Sequence, residues 1–159
     1  KQMEVLVHIE IAKNSNVKYE FKNGMLIVDR ILHPPMCYPY NYGYIPKTLA
    51  GDGDPLDTIV ITEYVLQPGC YLKCHPIGML VTEDEAGMDE KIICVPISKI
   101  DPAYENITNL NHLPTHILKK IEFFFENYKK MESEKWVKIH GFRDVDLAIK
   151  TIKDSKFNL

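Results

Sequence analysis

The sequence predicts a mainly β protein with flanking helices, an α+β domain whose strands come first and whose helices come last. Three observations predict it. Apolar and polar residues alternate with period two near the start, an Asn-Gly hairpin dipeptide joins two of the strand-like runs, and the period-3.6 stripes lie after Pro114.

In chain order, Val5, Val7, Ile9 and Ile11 alternate with Leu6, His8 and Glu10, a strand over 4–11 with Glu10 on the face opposite the apolar stripe. Val17, Tyr19 and Phe21 then alternate with Lys18, Glu20 and Lys22, so Lys18 and Glu20 share a face. Asn23-Gly24 turns the chain into a third strand, MLIVDRIL, which stops at His33-Pro34-Pro35. The Tyr-, Pro- and Gly-rich stretch from Cys37 to Asp57 reads as one long irregular loop, and loops of that length are more often functional than connective. Further strands are expected near 58–66, 70–81 and 91–95. Ile117, Leu118, Ile121, Phe124, Phe125 and Tyr128 form one stripe of a helix from Thr115 to Met131, with Pro114 suited to its first turn. A short strand through WVKIHGF precedes a last helix built on Val145, Ala148, Ile149 and Ile152.

A length of 159 residues argues for one domain, 1–159, with a core large enough to need no staples. The 45% hydrophobic and 26% charged content excludes a disordered tail or a coiled coil. Nineteen Lys and Arg against 22 Asp and Glu leave a net charge of −3, so no global basic field draws nucleic acid or an anionic membrane, and any anion site must be local. Cys37, Cys70, Cys74 and Cys94 form no C-x-x-C pair and read as buried, reduced thiols. No apolar run approaches a membrane span, and the first residues carry charge where a signal peptide would be apolar. The expected setting is cytoplasmic.

The chemistry lies in two acidic loops. GDGDPLD places Asp52, Asp54 and Asp57 together, and TEDEAGMDEK places Asp84, Glu85 and Asp89 in a turn between strands. Two carboxylates 4 Å apart repel by about 4 kcal/mol at an effective dielectric near 20, so gathering several calls for cations between them. Either loop taken singly also fits a solvated turn. An EF-hand fails because Asp57 stands where the sharp turn needs Gly, and a His112/His116 zinc pair fails because Pro114 separates them and no Glu follows the first histidine. No activated Ser, Cys or Lys nucleophile and no P-loop or dinucleotide Gly signature is present.

The motif D-[SGDN]-D-[PE]-[LIVMF]-D is met in full by residues 52–57, and the segments IEI, KYE, VDR, YPYNYGYIP, DEAGMDEK and FFFENYK occur in order around it. With these the chain resembles the soluble inorganic pyrophosphatases of the Mg²⁺-dependent family I, in their short prokaryotic-type form. The resemblance implies a closed five-stranded OB-like β-barrel with two helices in the C-terminal half. It implies that Asp52, Asp57 and Asp89 ligate a first metal, that Asp57 bridges to a second, that Asp84 with Asp89 takes a further ion brought by substrate, and that Glu20 binds metal through water. Lys18, Arg30, Tyr42, Lys91, Tyr128 and Lys129 match the phosphate-binding set. Glu10 and Tyr38 match a second tier of polar site residues.

The implied reaction is hydrolysis of Mg²⁺-pyrophosphate to two phosphates by direct attack of a metal-activated water, without a phosphoenzyme. Asp54 resembles the carboxylate that takes the water's proton, and Asp57, Arg30 and Lys129 complete the catalytic group. Arg30 and Lys129 are expected to face substrate phosphates and not buried protein carboxylates. Roughly three to four Mg²⁺ per site are implied, with Mn²⁺ or Zn²⁺ as substitutes. A homohexamer is implied too, with neither nucleic acid nor membrane as partner. The alternative is a metal-dependent phosphohydrolase of nucleoside triphosphates or other polyphosphates.

Overall fold

A computed structural model describes residues 2–156. Its elements are β1 (Val5–Ile11), β2 (Val17–Lys22), β3 (Met25–Ile31), β4 (Asn41–Ile45), β5 (Leu56–Val60), β6 (Tyr71–Asp84), β7 (Gly87–Pro96), α1 (Thr115–Asn127), β8 (Val137–Arg143) and α2 (Val145–Ser155). Strands β1, β4, β5, β7 and β6 pair in that order, and β6 returns to β1, so five strands close into a ring. This ring is the closed five-stranded arrangement expected from the family resemblance. All its pairings are antiparallel except β5 with β7.

The 14-residue β6 closes the ring because its two halves serve different neighbours. Residues Tyr71 to Cys74 pair with β1, and Met79 to Asp84 pair with β8, while β7 runs along Cys74 to Asp84. The register shifts between Pro76 and Gly78, where a residue without an N–H cannot continue the ladder. β2 and β3 form a separate two-stranded ribbon, turned by Asn23 and Gly24 at φ 52° and 75°. Both lie in the left-handed region that the hairpin turn demands.

Each face of the ring has its own helix. Ile93 and Val95 of β7 join Ile11, Ile59, Ile77 and Leu80 beneath Ile121, Phe124 and Phe125 of α1. Ile92 and Cys94, the alternate residues of β7, join Val7, Ile9, Leu56 and Val60 beneath Ala148 and Ile152 of α2. A strand covered on both faces reads as a continuous apolar run, which is why Ile92 to Val95 show no alternation.

Several boundaries differ from the sequence reading. β4 lies inside the stretch expected to be irregular. There Gly43 faces Ile9 so closely that a Cβ would meet the His8 carbonyl oxygen at 1.8 Å, so this glycine is what permits β1 and β4 to pair. β5 starts at Leu56, within the acidic motif, and ends at Val60 instead of reaching Leu66. α1 ends at Asn127, short of Met131, with Tyr128 as its cap and bonds from Lys130 N to Asn127 O and from Glu132 N to Lys129 O continuing as turns. Cys74 and Cys94 are buried free thiols as expected, but Cys70 is half-buried and Cys37 exposed. His8, placed by alternation on the polar face of β1, is 1% exposed. It stacks on Tyr71 at 4.3 Å, and Tyr44 makes a 2.9 Å hydrogen bond with its Nδ1.

Candidate active site

One cleft of about 700 Å³ opens at the end of the ring where the ribbon, the acidic loop and the C-terminus of α1 meet. Every site residue expected from the sequence lines it. β1 contributes Glu10; the ribbon contributes Lys18, Glu20 and Arg30; and the approach to β4 and β4 itself contribute Tyr38 and Tyr42. Asp52 and Asp54 come from the loop into β5 and Asp57 from β5 itself, Asp84 from the end of β6, Asp89 and Lys91 from β7, and Tyr128 and Lys129 from the end of α1. Period two explains the last pair on β7: Asp89 and Lys91 point one way, with Glu90 between them.

Lys91 organises the floor. Its ammonium donates to the Tyr42 hydroxyl at 2.6 Å, to Asp89 at 2.8 Å and to Asp57 at 3.4 Å, and it lies 4.8 Å from the Phe125 ring centroid. Burial alone would lower its pKa, but Asp89, Tyr42 and Asp57 raise it well above the ordinary lysine value. Removal from water pushes Asp57 up to about 7; Lys91 opposes that rise and Asp89 adds to it. Burial likewise raises the Tyr38 and Tyr42 hydroxyls, which stay protonated donors. Desolvation carries Glu10 to about 7 against the Phe21 N–H that it accepts at 2.8 Å. Asp52 is also raised by burial, even though it accepts from Asp54 N at 3.1 Å.

The other cations expected from the sequence are already paired. Lys18 meets Asp29 at 2.9 Å, Arg30 meets Glu132 at 2.7 Å, and Lys129 meets Asp84 at 3.0 Å and Glu85 at 3.4 Å. Asp84 and Glu132 are half-buried and Glu85 is exposed, so none of these partners is a buried carboxylate, though nothing in the sequence signalled the pairs. Burial raises Asp84, but the Lys129 ammonium and the Ala86 N–H outweigh it, and its carboxyl sits below the ordinary range. Lys129, which as a residue just past a helix would read as solvated, is 7% exposed.

Asp29 and Glu132 belong to the cleft and were missed, as were Tyr44, Lys22 and Lys135 on its wall. Asp29 had a signal in the VDR segment beside Arg30. Glu132 had none, because its partner is 102 residues away.

The carboxylates suit a hard divalent cation. The acids of the cleft offer carboxylate oxygens with no His or Cys in the lining, and burial holds Asp52 and Asp57 above their usual pKa. Among the described residues no three acidic, His or Cys side chains converge on one point. Asp89 and Asp84 turn to lysines instead. His112, the half of a rejected zinc pair, accepts from Thr108 N at 3.1 Å through Nδ1.

Fold and cleft together define a strand-ring protein whose open cleft interleaves acids with bases. The profile of the family described as inorganic pyrophosphatase matches residues 7–158. The chain is 54% identical over 156 residues to the inorganic pyrophosphatase of Nanoarchaeum equitans (strain Kin4-M), with 98% of each chain covered. It is 47% identical to that of Helicobacter pylori (strain ATCC 700392 / 26695), covering 92% of this chain and 86% of the relative. A solved Helicobacter pylori inorganic pyrophosphatase superposes with a TM-score of 0.94 at 45% identity, covering 96% of this chain and 91% of that one. The Thermus thermophilus inorganic pyrophosphatase gives 0.92 at 38% identity, with 96% and 88% covered. The chain belongs to the inorganic pyrophosphatase family.

Proposed function

We propose that the chain is an inorganic diphosphatase that hydrolyses pyrophosphate to two phosphates in this cleft. The observation that carries the reading is the interleaving of Lys18, Arg30, Lys91 and Lys129 with Asp52, Asp57, Asp84 and Asp89 in one pocket. A multiply charged phosphoanhydride needs both the cations and the metal that the acids would hold.

Asp52, Asp57, Asp84 and Asp89, with Glu20 through water, are the residues that would hold divalent cations, and Mg²⁺ is proposed as the physiological ion at roughly three to four per site. A bound divalent cation supplies positive charge against the phosphate oxygens and acidity to water. The chain's own groups do the rest. Arg30 and Lys129 take up charge on the phosphates, Lys18 and Lys91 neutralise them further, and the hydroxyls of Tyr42 and Tyr128 donate without adding charge. Asp54, exposed at the cleft mouth, accepts the proton of the attacking water. Glu10 and Tyr38 shape the polar wall.

Residues 1–159 are taken as one catalytic domain with a cytoplasmic setting. No described helix is long and apolar enough to cross a membrane. A homohexamer is proposed, and the exposed Phe123 (57%) of α1 and Met131 (72%) beyond it support burial of that face against another copy. Phosphate release from pyrophosphate, tripolyphosphate and ATP, each with Mg²⁺, Mn²⁺, Zn²⁺ or chelator, tests the function. Release from pyrophosphate with Mg²⁺ is expected, and its absence overturns the reading. Light scattering near 18 kDa at micromolar concentration would overturn the hexamer.

A further inference from the structure

Arg30 enters the cleft from β3 and meets Glu132 from the segment that follows α1: Nη1 donates to Oε1 at 2.7 Å, with 21% and 23% of the side chains exposed. The Glu132 N–H donates to the Lys129 carbonyl at 2.9 Å, which ties the main chain of Glu132 to the end of α1. The ribbon that carries Arg30 shares no strand pairing with the ring. The contact therefore joins two walls of the cleft that no backbone ladder holds together.

Only one arm of the guanidinium is used. Nε is buried and has no hydrogen-bond partner, and Asp29 Oδ2 lies 4.0 Å from it. Asp29 spends its short contact on Lys18 at 2.9 Å. A buried donor left unmet calls for an acceptor from outside the chain. A planar fork anchored at one arm keeps the direction of its remaining donors fixed.

We propose that Glu132 is a positioning residue for Arg30. Its carboxylate anchors Nη1 so that the rest of the fork faces a phosphate, and it pins the ribbon to the Tyr128–Lys129 end of α1. The proposal deepens the pyrophosphatase reading and rests on it.

A double-mutant cycle tests it, with kcat and KM for Mg²⁺-pyrophosphate, calorimetric binding of inorganic phosphate, and the melting temperature of each variant. Glu132→Ala should lower kcat/KM about tenfold, because a misdirected donor loses transition-state contact. In an Arg30→Ala background the same change should cost less than about twofold, since the group being positioned is gone. Phosphate affinity should follow the same pattern, and Glu132→Gln, which keeps an acceptor and the side-chain shape, should recover part of the loss. An equal loss in both backgrounds overturns the inference. So does a lower KM at unchanged kcat in Glu132→Ala, which would make Glu132 a competing anion, and so does Glu132→Gln performing no better than Glu132→Ala. A wild-type chain that releases no phosphate overturns the functional reading itself. An active wild type, an impaired Arg30→Ala and an unaffected Glu132→Ala overturn the positioning role alone.

Discussion

Lys91 and Asp89 form an ion pair of 2.8 Å in which the side chains are only 3% and 9% exposed. Two residues apart on β7, they point into the same cleft, so the strand delivers a cation and its counter-anion as one unit. Neither charge is held by water, and each depends on the other.

The first prediction concerns that dependence. Lys91→Met should destabilise the chelated protein by about 3–5 kcal/mol, because it leaves Asp89 as an uncompensated buried carboxylate. Urea unfolding in the presence of EDTA measures it. A loss under about 1 kcal/mol would mean that water already reaches Asp89.

Arg30→Ala or Lys129→Ala should slow pyrophosphate hydrolysis by about a hundredfold or more, the usual cost of one lost transition-state donor. The two should differ in stability. Lys129→Ala strands Asp84 and loses the contact with Glu85, so its melting temperature should fall more than that of Arg30→Ala, whose partner Glu132 can turn to solvent. Activity within about threefold of the parent in either variant would remove that residue from the catalytic group.

Period two made Lys18 and Glu20 neighbours, and Asn23-Gly24 fixed the ribbon's turn, so the elements with one wet face were legible in the sequence. β4 was not. Its Tyr42, Gly43 and Tyr44 look like loop residues until the close crossing with β1 is known, and such a crossing is a tertiary fact. The acids and bases of the cleft were legible through the ordered family segments around Asp52 to Asp57. Their pairing was not, because contacts such as Arg30 with Glu132 and Lys129 with Asp84 join residues far apart in the chain and leave no periodic trace.

Glu10 gives a pH prediction. Its folded pKa of about 7 lies above the ordinary 4.5, so its protonated form adds stability that is fully present below about pH 4.5 and is lost as pH rises through 7. Glu10→Gln keeps an acceptor for the Phe21 N–H and carries no charge. In EDTA, the difference in stability between variant and parent should therefore grow in the variant's favour from pH 5 to 8 and level off above. A difference that stays flat over that window would mean Glu10 is solvated when ionised.

Two neighbours in the acidic loop should separate by role. Asp57 sits half-buried at the floor beside Lys91, and the exposed Asp54 stands at the cleft mouth, its own N–H bonded to Asp52. If Asp57 shares two cations, Asp57→Asn should weaken Mg²⁺ binding and slow turnover together. Asp54→Asn should leave Mg²⁺ affinity within a few-fold, slow turnover strongly, and move the acid limb of the rate–pH profile, because the proton acceptor near the attacking water is gone. Calorimetric Mg²⁺ titration of both variants, with rate recorded against pH, decides it. If Asp54→Asn loses metal as badly as Asp57→Asn, then Asp54 is a ligand and the proton must leave by another route.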